Sequence, residues 1–356
     1  FTGKPLFDIE EVPFPKSELI GEKSYATQPI PNKPEPFARR SDALTEADLS
    51  PYAKNKEELL MIFRNTDKRF YAPPSEGPVL LLPGYDGGGE WGGAAADPED
   101  GIIYINSNEM AWLLSVRKTD STTSSALLSG EHLYNTICAS CHQKDRSGTP
   151  ASRVPSLINI NQKFEADSLI GLINKGQGLM PGFPNLSSEA KKSIAEFLLG
   201  IETDKQEVTE LNNTYQDPYS HNGYHKFLDS EGLPAIAPPW GTLNAIDLNN
   251  GEYLWKIPLG ETPELKEKGY PTTGTENYGG PVVTKNGLLF IAGTKDGVFR
   301  AFNKYTGELL WEYQLPVPAF ATPAIYESNG KQFIVIVCGG EKLGTPKGNQ
   351  VIAFSL

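Results

Sequence analysis

The residues with the clearest chemistry are Cys138-Ala-Ser-Cys141-His142. Two thiols at i and i+3 sit on one helical turn and can reach the two vinyl groups of a haem, while the residue that follows offers an imidazole to the iron. Read as residues alone, the same run also allows a disulfide or half of a zinc site. Zinc would want a second Cys or His pair, and the one remaining cysteine, Cys338, lies in an apolar strand-like run where a small buried residue is the simpler reading. The motif therefore predicts a covalent haem c. A low-spin electron carrier needs a second axial ligand, and of the three methionines, Met61, Met110 and Met180, only Met180 falls in the same helical stretch. It sits in Gly176-Gln-Gly-Leu-Met-Pro-Gly-Phe183, where glycine and proline let the backbone pass close to a flat cofactor. The iron ligands are thus expected to be His142 and Met180. His132 competes for the second place, but it precedes the motif on what reads as the same helix and is expected to face solvent.

These residues need a helical frame, and the sequence supplies one from about Ser125 to Thr203. Ala190, Ile194, Phe197 and Leu198 fall at i, i+4, i+7 and i+8, Glu189 stands in the first turn and Gly200 follows the last periodic residues. The Ser- and Thr-rich run 120–125 and the polar stretch 202–213 read as linkers, so the expected domains are 1–124, 125–204 and 205–356, the middle one inserted. With Gly130 and Tyr134 ahead of the motif and the amphipathic helix behind it, this stretch of about 80 residues resembles a class I cytochrome c domain.

Outside the insertion the chain reads as mainly β. Glycine (35) and proline (29) punctuate short apolar runs over most of its length. A repeat emerges when Gly241-Thr-Leu-Asn-Ala-Ile-Asp-Leu-Asn-Asn-Gly-Glu-Tyr-Leu-Trp255 is set against Gly297-Val-Phe-Arg-Ala-Phe-Asn-Lys-Tyr-Thr-Gly-Glu-Leu-Leu-Trp311, with Ala245, Ala301 and Ala353 marking copies roughly 50 to 56 residues apart. That period is in the range of propeller blades of four strands. Each copy predicts a hairpin with a glycine turn and a tryptophan packed between neighbouring blades. The helical stretch then reads as an insertion between blades. Thr2–Phe7 matches the second half of the unit and 351–356 only the first half, so the chain starts and ends mid-repeat. Either the first strand completes the last blade and closes a small ring, or upstream blades belong to a longer polypeptide.

Several segments of the β part are similar to the C-terminal half of the membrane-type quinoprotein glucose dehydrogenases, propeller enzymes that use pyrroloquinoline quinone (PQQ). The similarity rests on Glu11-Val-Pro-Phe-Pro15, Glu90-Trp-Gly-Gly93, Pro239-Trp-Gly-Thr242, Gly279-Gly-Pro281, Ala321-Thr-Pro323, Asn329-Gly-Lys-Gln332 and Gly344-Thr345, among others. It implies a partial β-propeller, eight-bladed when complete, in a periplasmic or otherwise extracytoplasmic setting, and it favours the second explanation of the mid-repeat ends. It also implies that Trp91, Asn108 and Asp296 contact PQQ. An aromatic face can stack on the cofactor, an amide can bond its carbonyls, and a carboxylate can orient a lysine or bind calcium. By the same resemblance the catalytic aspartate and a quinone-holding lysine lie upstream of Phe1, so no catalytic residue is expected in this chain.

The function this predicts is a quinohaemoprotein dehydrogenase in which PQQ oxidises a sugar or alcohol hydroxyl and electrons leave through the haem to an external acceptor, such as a soluble cytochrome or a respiratory component. The alternative is a periplasmic electron-transfer protein that uses the propeller as a binding platform. The formal charge of −12 argues against nucleic acid and favours basic partners. No apolar run approaches the roughly 18 residues of a membrane span, no basic n-region is followed by an apolar h-region, and the chain opens on Phe1 instead of Met, which suggests a processed protein or a piece of a longer one.

Overall fold

Both repeat segments fold as β-hairpins in the computed structural model, which describes residues 2–90, 92–118, 129–148, 154–178, 180–184, 186–201 and 218–355. Strand Gly241–Asp247 pairs with Glu252–Pro258 so that Ala245 faces Trp255, and a bulge follows Ala245. Strand Val298–Asn303 pairs with Leu309–Gln314 so that Ala301 faces Trp311, with its bulge after Ala301. The same register and the same bulge recur because the same residues recur. Gly251 and Gly307 close the two turns with φ of +73° and +72°, a region that a side chain would make costly.

The chain divides into two compact units, Phe1–Arg117 with His221–Leu356, and Lys118–Ser220. In the first, successive antiparallel sheets follow the repeat. One has the order Glu252–Pro258, Gly241–Asp247, Ile102–Asn108, Ala95–Asp97, and the next runs Val282–Val283, Leu288–Ile291, Val298–Asn303, Leu309–Gln314. A third is built from Ala324–Ser328, Lys331–Gly340 and Lys347–Ser355. Ala245, Ala301 and Ala353 each lie on the third strand of their sheet, which makes the repeat a blade unit.

One expectation is corrected by the strand pairing, and one of the two explanations of the mid-repeat ends is removed. Ile102–Asn108 and Gly241–Asp247 are neighbours, with Gly241 opposite Asn108 and Ala245 opposite Tyr104, although the whole helical unit lies between them in the chain. The insertion therefore falls inside one blade, between its second and third strands, and not between blades. The repeat could not show this, because its marker covers only the third and fourth strands. Nor does the N-terminal segment complete the last sheet among the described residues: 2–8 form no strand there, and Lys347–Ser355 pairs with Lys331–Gly340 alone. The Phe7 ring instead sits at the Gly251 turn, 3.0 Å from where a Cβ would be.

Trp255 stands in the same relation to Gly307, whose Cβ would lie 2.8 Å from its ring. Its Nε1 donates to Lys304 O at 3.0 Å, and it is buried with Leu289, Ile291 and Phe302 of the neighbouring sheet, as expected of a tryptophan between blades. Trp311 meets Phe299 and Phe354 edge-on but remains 39% exposed.

The helical unit contains Gly130–Ile137, Ala139–His142, Ala166–Lys175 and Ser188–Leu199 around a core of Leu133, Tyr134, Leu169, Ile173, Ile194 and Leu198. Ser187 caps the last helix by accepting from Ala190 N at 3.1 Å, and Gly200 ends it at φ +70°. Gly130 lies where the first and last helices cross, since a Cβ there would come within 1.9 Å of Ser193 O. The linkers expected at 120–125 and 202–213 lie outside the described residues.

Candidate functional site

Cys138 ends the helix Gly130–Ile137 and starts the single turn Ala139–His142. Its N donates to Tyr134 O at 2.8 Å, and its carbonyl accepts from Cys141 N at 3.1 Å and His142 N at 2.9 Å. The two thiols and the imidazole are thus carried on one continuous turn. Cys138 is half-buried, and burial, helped by Cys141, pushes its thiol up to about 11, while Cys141 is exposed. Neither is joined in a disulfide.

His142 is buried and its Nδ1 lies 3.0 Å from Pro155 O. A carbonyl can only accept, so Nδ1 carries the proton and Nε2 keeps a lone pair for a metal. Gly148 N donates to His142 O at 3.0 Å, and a Cβ on Gly148 would come within 2.5 Å of Pro155 O, so glycine is what lets the Pro155 backbone approach. An oriented imidazole beside two thiols one helical turn apart fits a covalent haem. Pro155 was not singled out from the sequence; a proline thirteen residues past the motif carries no local signal of whose nitrogen its carbonyl meets.

Met180 is half-buried in a loop held by two reciprocal bonds, Gln177 N to Met180 O and Met180 N to Gln177 O, both 3.0 Å. Gly176, at φ +72°, permits the fold-back, because a Cβ there would lie 2.4 Å from Met180 O. His132 is exposed on its helix, with its backbone N bonded to Ser129 Oγ. Met110 is buried in the other unit and Met61 is exposed.

The residues expected at the quinone behave differently. Trp91 lies outside the described residues. Asn108 is buried, with Oδ1 accepting from Asn277 N at 2.8 Å and Nδ2 donating to Asn277 O at 3.0 Å and to Glu90 Oε1 at 3.4 Å. One lone pair of Oδ1 is all that this amide leaves for another partner. Asn106 adds a bond from its Nδ2 to Asn277 Oδ1 at 2.6 Å, so the pair of asparagines ties this sheet to the loop before the next.

Asp296 is more fully engaged. Oδ1 accepts from Thr294 Oγ1 at 2.5 Å, Val298 N at 3.1 Å and Arg300 Nη1 at 3.3 Å, and Oδ2 from Glu261 N at 2.8 Å and Arg300 Nη2 at 2.5 Å. Burial alone would raise its pKa, but the hydrogen bond and charge of Arg300, with Thr294 and Val298, outweigh burial and hold the carboxyl below its ordinary value. Within this chain five donor atoms occupy the two carboxylate oxygens, and Asp296 anchors Arg300 and the turn into its strand.

A neighbouring polar group was missed from the sequence. Asp86 accepts from Tyr278 OH at 2.8 Å and from Trp112 Nε1 at 3.1 Å. Burial, then Asp86, raises the Tyr278 phenol well above its ordinary pKa. His221 and His225 are exposed, with His221 Nε2 at 2.7 Å from Tyr85 OH and His225 Nε2 at 3.0 Å from Asn222 O.

Comparison with known proteins adds to this geometry. The PQQ family, described as glucose/ethanol/alcohol dehydrogenase, beta-propeller domain, matches residues 1–153 and 185–334. A second family, described as cytochrome C oxidase, cbb3-type, subunit III, matches residues 125–198. The chain is 40% identical to a quinoprotein glucose dehydrogenase of Escherichia coli strain K12, over all of this chain and 36% of that protein. It is 28% identical to a probable quinate dehydrogenase (quinone) of Xanthomonas campestris pv. juglandis, over all of this chain and 37% of that one. It is 29% identical to a glycerol dehydrogenase large subunit of Gluconobacter oxydans strain 621H, over 99% of this chain and 40% of that subunit. The chain thus spans between 36% and 40% of the length of these relatives.

Proposed function

Since this chain belongs to the PQQ family of glucose/ethanol/alcohol dehydrogenase β-propellers and carries a cytochrome c-type unit within it, we propose that the complete protein is a quinohaemoprotein dehydrogenase. It oxidises a sugar or alcohol hydroxyl and delivers the electrons through a covalent haem c to an external acceptor, outside the cytoplasm. The observation that carries this reading is His142, buried and turned by Pro155 O so that Nε2 is free, on the same turn as Cys138 and Cys141. When bound, PQQ supplies two-electron oxidation of a hydroxyl, and the haem supplies a one-electron outlet.

The chain's own residues act by holding. Cys138 and Cys141 would anchor the porphyrin, His142 and Met180 would ligate the iron, and thioether ligation would raise the potential of the haem as an acceptor. In the propeller unit Asn106, Asn108 and Asn277 fix one sheet to the next loop, and Asp296 fixes Arg300. The proton of the hydroxyl is taken by none of the described residues that the geometry singles out. In this reading the base belongs to the part of the polypeptide that the resemblance places upstream. Among the described residues no helix is long and apolar enough to cross a membrane.

Full-length protein reconstituted with PQQ and calcium tests the reading. Reduction of an artificial acceptor by at least one of glucose, quinate, glycerol or ethanol is the expected result. Haem absorption with no quinone released on denaturation, and no turnover of any of these compounds, would replace it with a propeller that serves only as a platform for electron transfer.

A further inference from the structure

The helix Ser188–Leu199 buries Ala190, Ile194, Ala195 and Leu198, as its apolar period requires, but it also buries Lys191. A buried ammonium is costly unless its protons are taken up. Its partners are Asn174 Oδ1 at 2.7 Å and Pro184 O at 3.2 Å. Asn174 is next to last in the helix Ala166–Lys175, and Pro184 follows the loop Gly176–Phe183. The two acceptors are therefore the two ends of the loop that carries Met180.

The loop is closed at the same stem by the backbone, Gly176 N to Leu172 O at 2.8 Å and Phe183 N to Ile173 O at 2.8 Å. A Cβ on Gly182 would lie 2.7 Å from Asn174 O, so the two ends are also in van der Waals contact. Opening the loop to withdraw Met180 would separate Asn174 from Pro184 and leave the ammonium of Lys191 short of a partner in a buried place.

We infer that Lys191 is a positioning residue for Met180, its side chain clamping both ends of the ligand loop so that the thioether stays on the iron. The inference rests on the assignment of His142 and Met180 as the haem ligands. Lysine suits the task because its apolar stem lies along the helix core while three donors on one nitrogen reach acceptors on two segments. Hydrogen bonds to a charged donor are stronger than neutral ones, so the clamp biases the loop toward its closed state.

The test uses the haem-loaded protein. In the ferric state exogenous imidazole competes with Met180 for the iron, and its apparent affinity reports the fraction of loop that is open. Lys191→Met keeps the stem and removes the donors. It is expected to tighten imidazole binding by about tenfold, weaken the near-infrared thioether–iron band and lower the midpoint potential. Asn174→Leu removes one acceptor from the other side, is expected to act in the same direction, and adds little in the double variant, because both break one clamp. It also carries the test should Lys191→Met fail to fold. Wild-type imidazole affinity and an undiminished band in a folded Lys191→Met or Asn174→Leu protein would overturn the inference. If the wild type itself lacks the thioether band, and Met180→Ala leaves imidazole affinity unchanged, the assignment of Met180 fails instead.

Discussion

At the scale of single residues, the haem ligands and the propeller carboxylate differ in how they are held. His142 is oriented by one carbonyl, whereas Asp296 accepts from five donors. Replacing Met180 by His is expected to lower the haem midpoint potential markedly, and an unchanged value would remove Met180 from the iron. Asp296→Asn leaves Arg300 buried without its counter-charge and is expected to cost about 3–5 kcal/mol, read from the urea midpoint. The carboxyl of Asp296 titrates below its ordinary value, so on acidification the unfolded chain takes up the proton before the native one does. Its contribution is fully present above about pH 4 and is lost as pH falls through the native pKa, a loss the Asn variant does not show. The sequence revealed Cys138, Cys141 and His142 because their chemistry is written within one turn. It did not show the partners of Asp296, because they are brought from Glu261, Thr294 and Arg300, and its residue type says nothing of that.

At the scale of elements, glycines mark where segments touch. Gly130→Ala would force a methyl against Ser193 O, 1.9 Å away, and is expected to destabilise the helical unit by about 1–3 kcal/mol, seen as a lower denaturation midpoint of the haem absorbance. Gly307→Ala combines a positive φ of +72° with a contact on Trp255 and is expected to lower the midpoint of tryptophan fluorescence, leaving the haem signal unchanged. The helix Ser188–Leu199 was legible from its period, the glutamate in its first turn and its final glycine, all of which are local. The pairing of Ile102–Asn108 with Gly241–Asp247 was not, because neighbours across an insertion share no local pattern. The hairpins that carry Trp255 and Trp311 were legible for the opposite reason, their sequence being written twice.

At the scale of the whole molecule, the proposed function requires an external acceptor, and the formal charge of −12 on this chain would favour a basic one. Reduction of a cationic cytochrome is expected to slow as salt rises from about 10 to 200 mM, with little change for a neutral dye. Measuring both rates on one preparation separates encounter from chemistry. The blade repeat and the inserted helices could be read because each recurs or contrasts in composition. The quinone contacts could not, since a propeller site is assembled from several blades and this chain spans only 36% to 40% of its relatives. The most direct test of the central claim is to add substrate alone, without oxygen or external acceptor, to full-length protein loaded with PQQ and to follow the haem spectrum. The account predicts reduction of the haem by glucose, quinate, glycerol or ethanol, lost when PQQ is left out; a haem that stays oxidised while the same substrate reduces an added dye would contradict it.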